Sequence, residues 1–198
     1  MTLCVTGPMA AGKNAVTALL EGMQWQELHF AATDADKLAH TAIEQCTAEI
    51  CTAFGGIAAE RGIALLNTDG TVNRRNLGTI VFSAPELLQK QEAIVFPKVQ
   101  LLCKQFIAEQ KSAIPMRHAI LNATVLYKIP VIADCDLILY VDAPLLLRLW
   151  RAHKRDGISI PHLLARFRSQ RKLFSKYHSA NADIYRVWNV GNLAALQK

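Results

Sequence analysis

The run Gly7-Pro8-Met9-Ala10-Ala11-Gly12-Lys13-Asn14 has the form GxxxxGK and lies between a short apolar run, Leu3 to Thr6, and a helical pattern marked by Val16, Leu19 and Leu20. This spacing suits the cradling of phosphate. Gly7 and Gly12 let the backbone turn its N–H groups inward onto phosphate oxygens, the following helix N-terminus adds partial positive charge, and Lys13 reaches the same oxygens. Gly7, Ala10, Ala11, Gly12, Lys13, Asn14 and Ala15 are therefore the candidate nucleotide contacts. A chance match in a strand-to-helix turn is the bland alternative, and the flanking pattern weighs against it. The residue after the lysine ordinarily carries a hydroxyl that holds Mg²⁺; here it is Asn14, whose amide oxygen is a weak candidate metal ligand.

A second constellation lies after the apolar segment Leu28 to Ala32, where Thr33-Asp34-Ala35-Asp36 falls at the C-terminal edge expected of a parallel strand. Phosphoryl transfer needs a carboxylate to accept the proton of the attacking hydroxyl, and Asp34 is placed for it. Capping of the helix that starts at Lys37 explains the aspartates equally well. Farther on, Arg148, Arg151 and Arg155 recur at i, i+3 and i+7 and share one helix face, where guanidinium groups can neutralise charge on a moving phosphoryl group. Function is expected of Arg151 and Arg155, whereas Arg166, Arg168, Arg171 and Lys172 read as a solvated basic face. The tryptophans are isolated and the histidines lack metal-ligand spacing, so neither type is assigned chemistry.

These residues require strands that end beside helices. Leu3–Thr6, Leu28–Ala32, His118–Val125, Asp136–Val141 and Ile184–Trp188 read as strands, and the aspartate turn after the second is followed by a helix from Lys37 to Phe54. Residues 55 to 110 show a turn at Asn67–Thr71 and helical stretches broken near Pro85 and Pro97. Asp142 is expected to cap a helix opened by Pro144, Ser159 another in which Ile160, Leu163, Phe167 and Phe174 share a side, and a terminal helix is expected after Gly191. Strands alternating with helices imply an α/β fold, a parallel sheet covered on both faces.

Composition agrees with a folded chain. Over 198 residues, 52% are hydrophobic and 19% charged, which excludes a disordered or fibrous protein. No apolar run reaches the roughly 18 residues of a membrane span, and there is no secretion signal at the start, so a cytoplasmic protein without a membrane partner is expected. The five scattered cysteines form no CxxC pair and read as reduced, buried thiols. Charge is uneven: residues 1–143 hold 11 basic against 14 acidic side chains, and residues 144–198 hold 11 against 2. That basic end faces either a bound polyphosphate or nucleic acid, and the phosphate loop favours the former.

With these residues in view, the chain resembles the dephospho-coenzyme A kinase family. The family's phosphate loop is matched by Thr6 to Asn14 and its acidic turn by Thr33 to Asp36. Its DGTxxRRxL segment is matched by Asp69 to Leu77 and the helix break after it by Val81 to Pro85. Leu139 to Pro144, Arg151, Arg155-Asp156-Gly157, Gln170 and Asn189-Val190-Gly191 resemble its final strand, lid and adenine-side loop. The resemblance implies one P-loop kinase domain: a core of residues 1–33 and 111–198 around a parallel five-stranded sheet, a helical substrate-domain insertion at 34–110, and a basic helical lid at about 144–180. It implies transfer from ATP, with Mg²⁺, to the ribose 3′-hydroxyl of dephospho-coenzyme A, the last step of coenzyme A biosynthesis. It gives Asp34 as base, Lys13 as phosphate clamp, Arg151 as a catalytic arginine, Arg155 and Asn189 on the nucleotide, and Arg74 and Arg75 beside the acceptor.

Three departures from the family pattern stand out: Asn14 for the hydroxyl residue, Thr124 to Lys128 where the family has a PLLxE-like segment, and Phe96-Pro97 for a His-Pro pair. From the residues alone, three other readings stay open. They are another small-molecule or nucleotide kinase, a degenerate non-catalytic nucleotide-binding relative, and a nucleic-acid-binding module using the basic end.

Overall fold

The structure, a computed structural model, describes residues 1–23, 28–178 and 182–191. Strand β1 (Thr2–Thr6) is buried along its whole length and is followed by the loop and helix α1 (Lys13–Gly22). Burial on both faces explains why its sequence is apolar without alternation. Strands β2 (Phe30–Asp34), β3 (His118–Asn122), β4 (Leu137–Asp142) and β5 (Asp183–Trp188) complete a sheet in the order β2-β3-β1-β4-β5, in which every pairing is parallel. β1 is thus the central strand. Parallel pairing brings all five C-terminal ends to one edge, and the register sets Asp34 opposite Asn122 and Asn122 opposite Val5. Leu3, Val5, Ala11, Val16, Ile120 and Val141 form a buried cluster that locks the loop and α1 onto the sheet.

The chain divides into two compact units, residues 1–36 with 103–198 and residues 37–102. In the second, α2 (Ala35–Gln45) and α3 (Thr47–Glu60) replace the single helix expected to Phe54, with the break at Cys46. Ile50, Phe54, Leu77 and Ile80 are buried there, the last two on α4 (Arg74–Val81), whose start is capped by the Asn73 side chain accepting the Asn76 N–H. Helix α5 (Pro85–Ser112) corrects the expected break at Pro97. Proline forfeits one backbone hydrogen bond, but Val95, Val99, Cys103 and Ile107 are all buried at four-residue spacing, and that continuous apolar stripe holds the helix through the defect.

The basic end forms α6 (Leu145–Asp156), α7 (Ile160–Ser169) and α8 (Leu173–Tyr177). Two expectations change here. The run from Ile160 to Phe174 is two helices, because the chain turns at Gln170 to Lys172. Asp142 does not cap α6: its carboxylate accepts the N–H of Ala143 and pairs with Arg186, and Pro144 occupies the cap position. Gly157, at φ 64°, closes α6 with its N–H on the His153 carbonyl. The expected terminal helix and Trp25 lie outside the described residues.

Tyr177, fully buried, fastens α8 to the start of the phosphate loop. Its hydroxyl accepts from Thr6 Oγ1 at 2.8 Å and donates to the Thr124 carbonyl at 3.0 Å, and burial pushes its pKa well up. Tyr177→Phe strands the buried Thr6 hydroxyl, and a loss of about 1–3 kcal/mol in unfolding free energy is expected. Urea denaturation checks it, since the midpoint should fall without a change in slope.

Candidate active site

The loop after β1 is shaped by two glycines that no other residue replaces. Gly7 has φ 146° and Gly12 φ 98°; a Cβ on Gly7 would stand 2.0 Å from the Val141 carbonyl oxygen, and one on Gly12 2.0 Å from the Asn189 amide nitrogen. Ala10 also lies in the left-handed region, at φ 62°. This curls the backbone around the start of α1, whose first turn has no acidic residue to compete with an anion. Ala15 sits in that turn, its N–H on the Gly12 carbonyl. The Lys13 ammonium donates to the Gly7 carbonyl at 3.1 Å, and burial pulls its pKa down against the opposing pull of Asp36 and Asp34.

Lys13, Asn14, Asp34 and Asp36 line one cavity of about 420 Å³, together with Ala10, Asn122, Arg155 and Arg166. The sheet explains the meeting: β1 and β2 are separated only by β3, so Asp34 and the loop open on the same edge. Asp34 Oδ1 accepts the N–H of Asp36 at 2.9 Å, which fixes the carboxylate at the strand end. Asn14 Oδ1 accepts from Asn122 Nδ2 at 2.8 Å. A carboxylate and an ammonium facing one polar cavity can accept a proton from a hydroxyl and hold the charge of a phosphoryl group.

A second cavity, of about 280 Å³, opens beside the loop and is lined by Ala10, Gly12, Lys13, Asn14, Arg151 and Arg155. Asn189, 4% exposed, braces it, with Nδ2 donating to the Ala11 carbonyl at 2.9 Å. Arg151 reaches the same place: its guanidinium donates to the Ala11 and Asn189 carbonyls, both at 3.4 Å, and to Asn189 Oδ1 at 3.3 Å. Arg155 forms a two-pronged pair with Asp156, at 2.7 and 2.8 Å, while bordering both cavities. Arg74 and Arg75 are exposed on the first turn of α4, in the other unit.

Sequence reasoning gives no role at this site to three residues. Arg166, which reads as part of a solvated face, borders the cavity that holds Lys13 and Asp34. Asn122 draws no attention in the sequence, though its place at the end of an apolar strand is a usable signal. Gln170, which stands out only through resemblance, accepts the Met9 N–H with Oε1 at 2.8 Å and so holds the phosphate loop from outside.

A parallel sheet with a phosphate-binding loop after its central strand, a carboxylate at the end of the strand one removed from it and arginines overhead defines a P-loop phosphotransferase. Comparison with known proteins narrows the class. The dephospho-CoA kinase family model matches residues 1–191. Dephospho-CoA kinase of Treponema pallidum is 37% identical, over 98% of this chain and 89% of that protein, and that of Treponema denticola 36% identical, over 98% and 84%. A crystal structure of a Thermus thermophilus protein superposes with a TM-score of 0.77 at 29% identity, covering 100% of this chain and 92% of that one. The fold is also shared with dephospho-CoA kinase from Campylobacter jejuni, at a TM-score of 0.65 and 22% identity over 99% and 91% of the two chains. The chain belongs to the dephospho-CoA kinase family.

Proposed function

We infer that the protein is a kinase that transfers the γ-phosphoryl group of ATP to the ribose 3′-hydroxyl of dephospho-coenzyme A, completing coenzyme A. The observation that carries this reading is that Lys13 and Asp34 face one cavity in a chain matched nearly end to end by that family. In the reaction, Asp34 accepts the proton as the 3′-oxygen bonds to phosphorus and the bond to the β-phosphate oxygen breaks. Lys13 turns from the Gly7 carbonyl to the β- and γ-phosphate oxygens. Loop N–H groups and Arg155 hold the same charge, and Arg166 adds a guanidinium to the wall of the same cavity. Arg151, which lines the cavity beside Gly12, is assigned to the charge of the moving phosphoryl group, and Asn189, which braces the loop at Ala11, to the nucleotide side. Arg74 and Arg75 are assigned to the acceptor on the family pattern, and residues 34–110 to its domain. The test is ADP release from ATP and Mg²⁺, with and without dephospho-coenzyme A. Release that depends on this acceptor supports the reading, and release only with other acceptors overturns it.

The donor set suits Mg²⁺. No cluster of three His, Cys, Asp or Glu side chains occurs among the described residues, but this ion needs only one or two carboxylates and completes its shell with phosphate oxygens and water. Asp36 and the amide oxygen of Asn14 border the same cavity and are the proposed holders. When bound, the ion neutralises charge on the phosphate oxygens. Because Asn14 Oδ1 already accepts from Asn122, one of its two lone pairs remains for a ligand. Asn14→Thr is therefore expected to lower the Mg²⁺ concentration for half-maximal turnover and to raise kcat. Losing the Asn122 hydrogen bond should cost about 1 kcal/mol of stability. A magnesium titration of both proteins, with thermal unfolding alongside, checks the two effects separately.

A further inference from the structure

A third cavity, of about 360 Å³, has neither Lys13 nor Asp34 in its wall. It is bounded by Pro8 of the loop, the end of β4, the first turn of α6, helices α7 and α8, and Arg186 of β5. Four arginines line it, Arg148, Arg168, Arg171 and Arg186, against one carboxylate, Asp142. That carboxylate is already engaged by Arg186 and by the Ala143 N–H. Arg168 and Arg171 are exposed, and neither guanidinium has a protein partner among the described residues. Arg148 is stacked on Phe167 at 4.3 Å, and its Nη2 is buried without a hydrogen-bond partner. Burial pulls the pKa of that guanidinium down, with Asp142 and then Tyr140 opposing.

An excess of guanidinium groups over carboxylates in a concave site selects an anion, and their planar forks match phosphate oxygens. Phe167 and Phe174 add apolar wall, so there is room for a small organic group beside the charge. The cavity is also tied to the phosphate loop. Arg148 Nε donates to the Met9 carbonyl at 2.9 Å, and Gln170, another wall residue, accepts the Met9 N–H at 2.8 Å. Both polar atoms of one loop residue are thus held by side chains that border this cavity.

We propose that this cleft is a second anion site, taking the phosphoryl group of inorganic phosphate or of a small phosphate ester, and that it is coupled through Met9 to nucleotide binding. A ligand that engages Arg148 changes its hold on the Met9 carbonyl, and by linkage the nucleotide changes the ligand's affinity by the same factor.

The test first saturates the phosphate loop with a non-hydrolysable ATP analogue in phosphate-free buffer. Inorganic phosphate, and separately phenyl phosphate, is then titrated calorimetrically, which distinguishes the free ion from the ester. Saturable binding of either probe is expected, weakened at least about tenfold in an Arg168→Ala, Arg171→Ala double variant that has lost charge-assisted hydrogen bonds. Without either probe, that variant should bind the analogue as the parent chain does. In the parent chain, a bound probe should shift analogue affinity by about fivefold or more. Absence of saturable binding, binding that the double variant retains in full, or an analogue affinity indifferent to the probe would each overturn the proposal. No acceptor is present in these measurements, so they stand or fall apart from whether dephospho-coenzyme A is phosphorylated.

Discussion

Asp34→Asn is expected to lower kcat by about 10²–10⁴-fold, the range of a lost general base, while ATP affinity stays within about threefold of the parent chain. The substitution preserves shape and leaves an amide oxygen to accept the Asp36 N–H now bonded to Oδ1 at 2.9 Å. The strand end should therefore keep its geometry, and what disappears is a site for the proton. Initial rates of ADP release with dephospho-coenzyme A, paired with equilibrium binding of ATP, read the two quantities apart. Full turnover in the variant would reduce Asp34 to a cap before α2 and move the search for a base to Asp36.

Lys13→Ala should act on both quantities. One donor aimed at charge that develops during transfer is worth about 10²–10³-fold in rate, and this ammonium also contributes charge-assisted hydrogen bonds of about 1.5–3 kcal/mol to the bound phosphates. A combined fall in kcat/KM of at least about 10³-fold is expected. The loop itself should survive. The ammonium contributes a single bond to the Gly7 carbonyl, whereas the loop is held independently by Arg148, Gln170 and Asn189. Unchanged ATP affinity and rate in Lys13→Ala would remove the phosphate loop from the mechanism.

Much of this site is legible in the sequence because its signals are local. The loop is contiguous, its glycines are needed for backbone angles set within a few residues, and Asp34 comes directly after an apolar strand. The parallel sheet is legible from the alternation of strands and helices. The features that escape a sequence reading depend on contacts distant in the chain. Arg166 looks like any exposed helical arginine until α7 is placed over the loop, and Arg168, two residues on, borders a different cavity. Gln170 ends a helix in a run expected to continue to Phe174; the turn there accompanies a bond to Met9, 161 residues away. Pro97 misleads in the opposite direction, since a local rule of helix breaking gives way to burial along α5. Asn14 stands out as a departure, but its Asn122 partner lies at the end of β3, and the pairing of β3 with β1 brings the two amides together.

The central place of β1 has a consequence for how the protein is made. Its two neighbours, β3 and β4, lie more than a hundred residues later in the chain, at His118–Asn122 and Leu137–Asp142. During synthesis at about 5–20 residues per second, β1 therefore leaves the ribosome many seconds before either strand exists to pair with it. Leu3, Cys4 and Val5, fully sequestered in the finished sheet, spend that interval as exposed apolar surface. The residues around Phe54 and Ile80, whose partners are close in sequence, can collapse meanwhile. Nucleotide capture is then a property that arrives late: a nascent chain ending before Leu137 has the whole GxxxxGK loop in sequence but lacks the strand against which Gly7 is moulded.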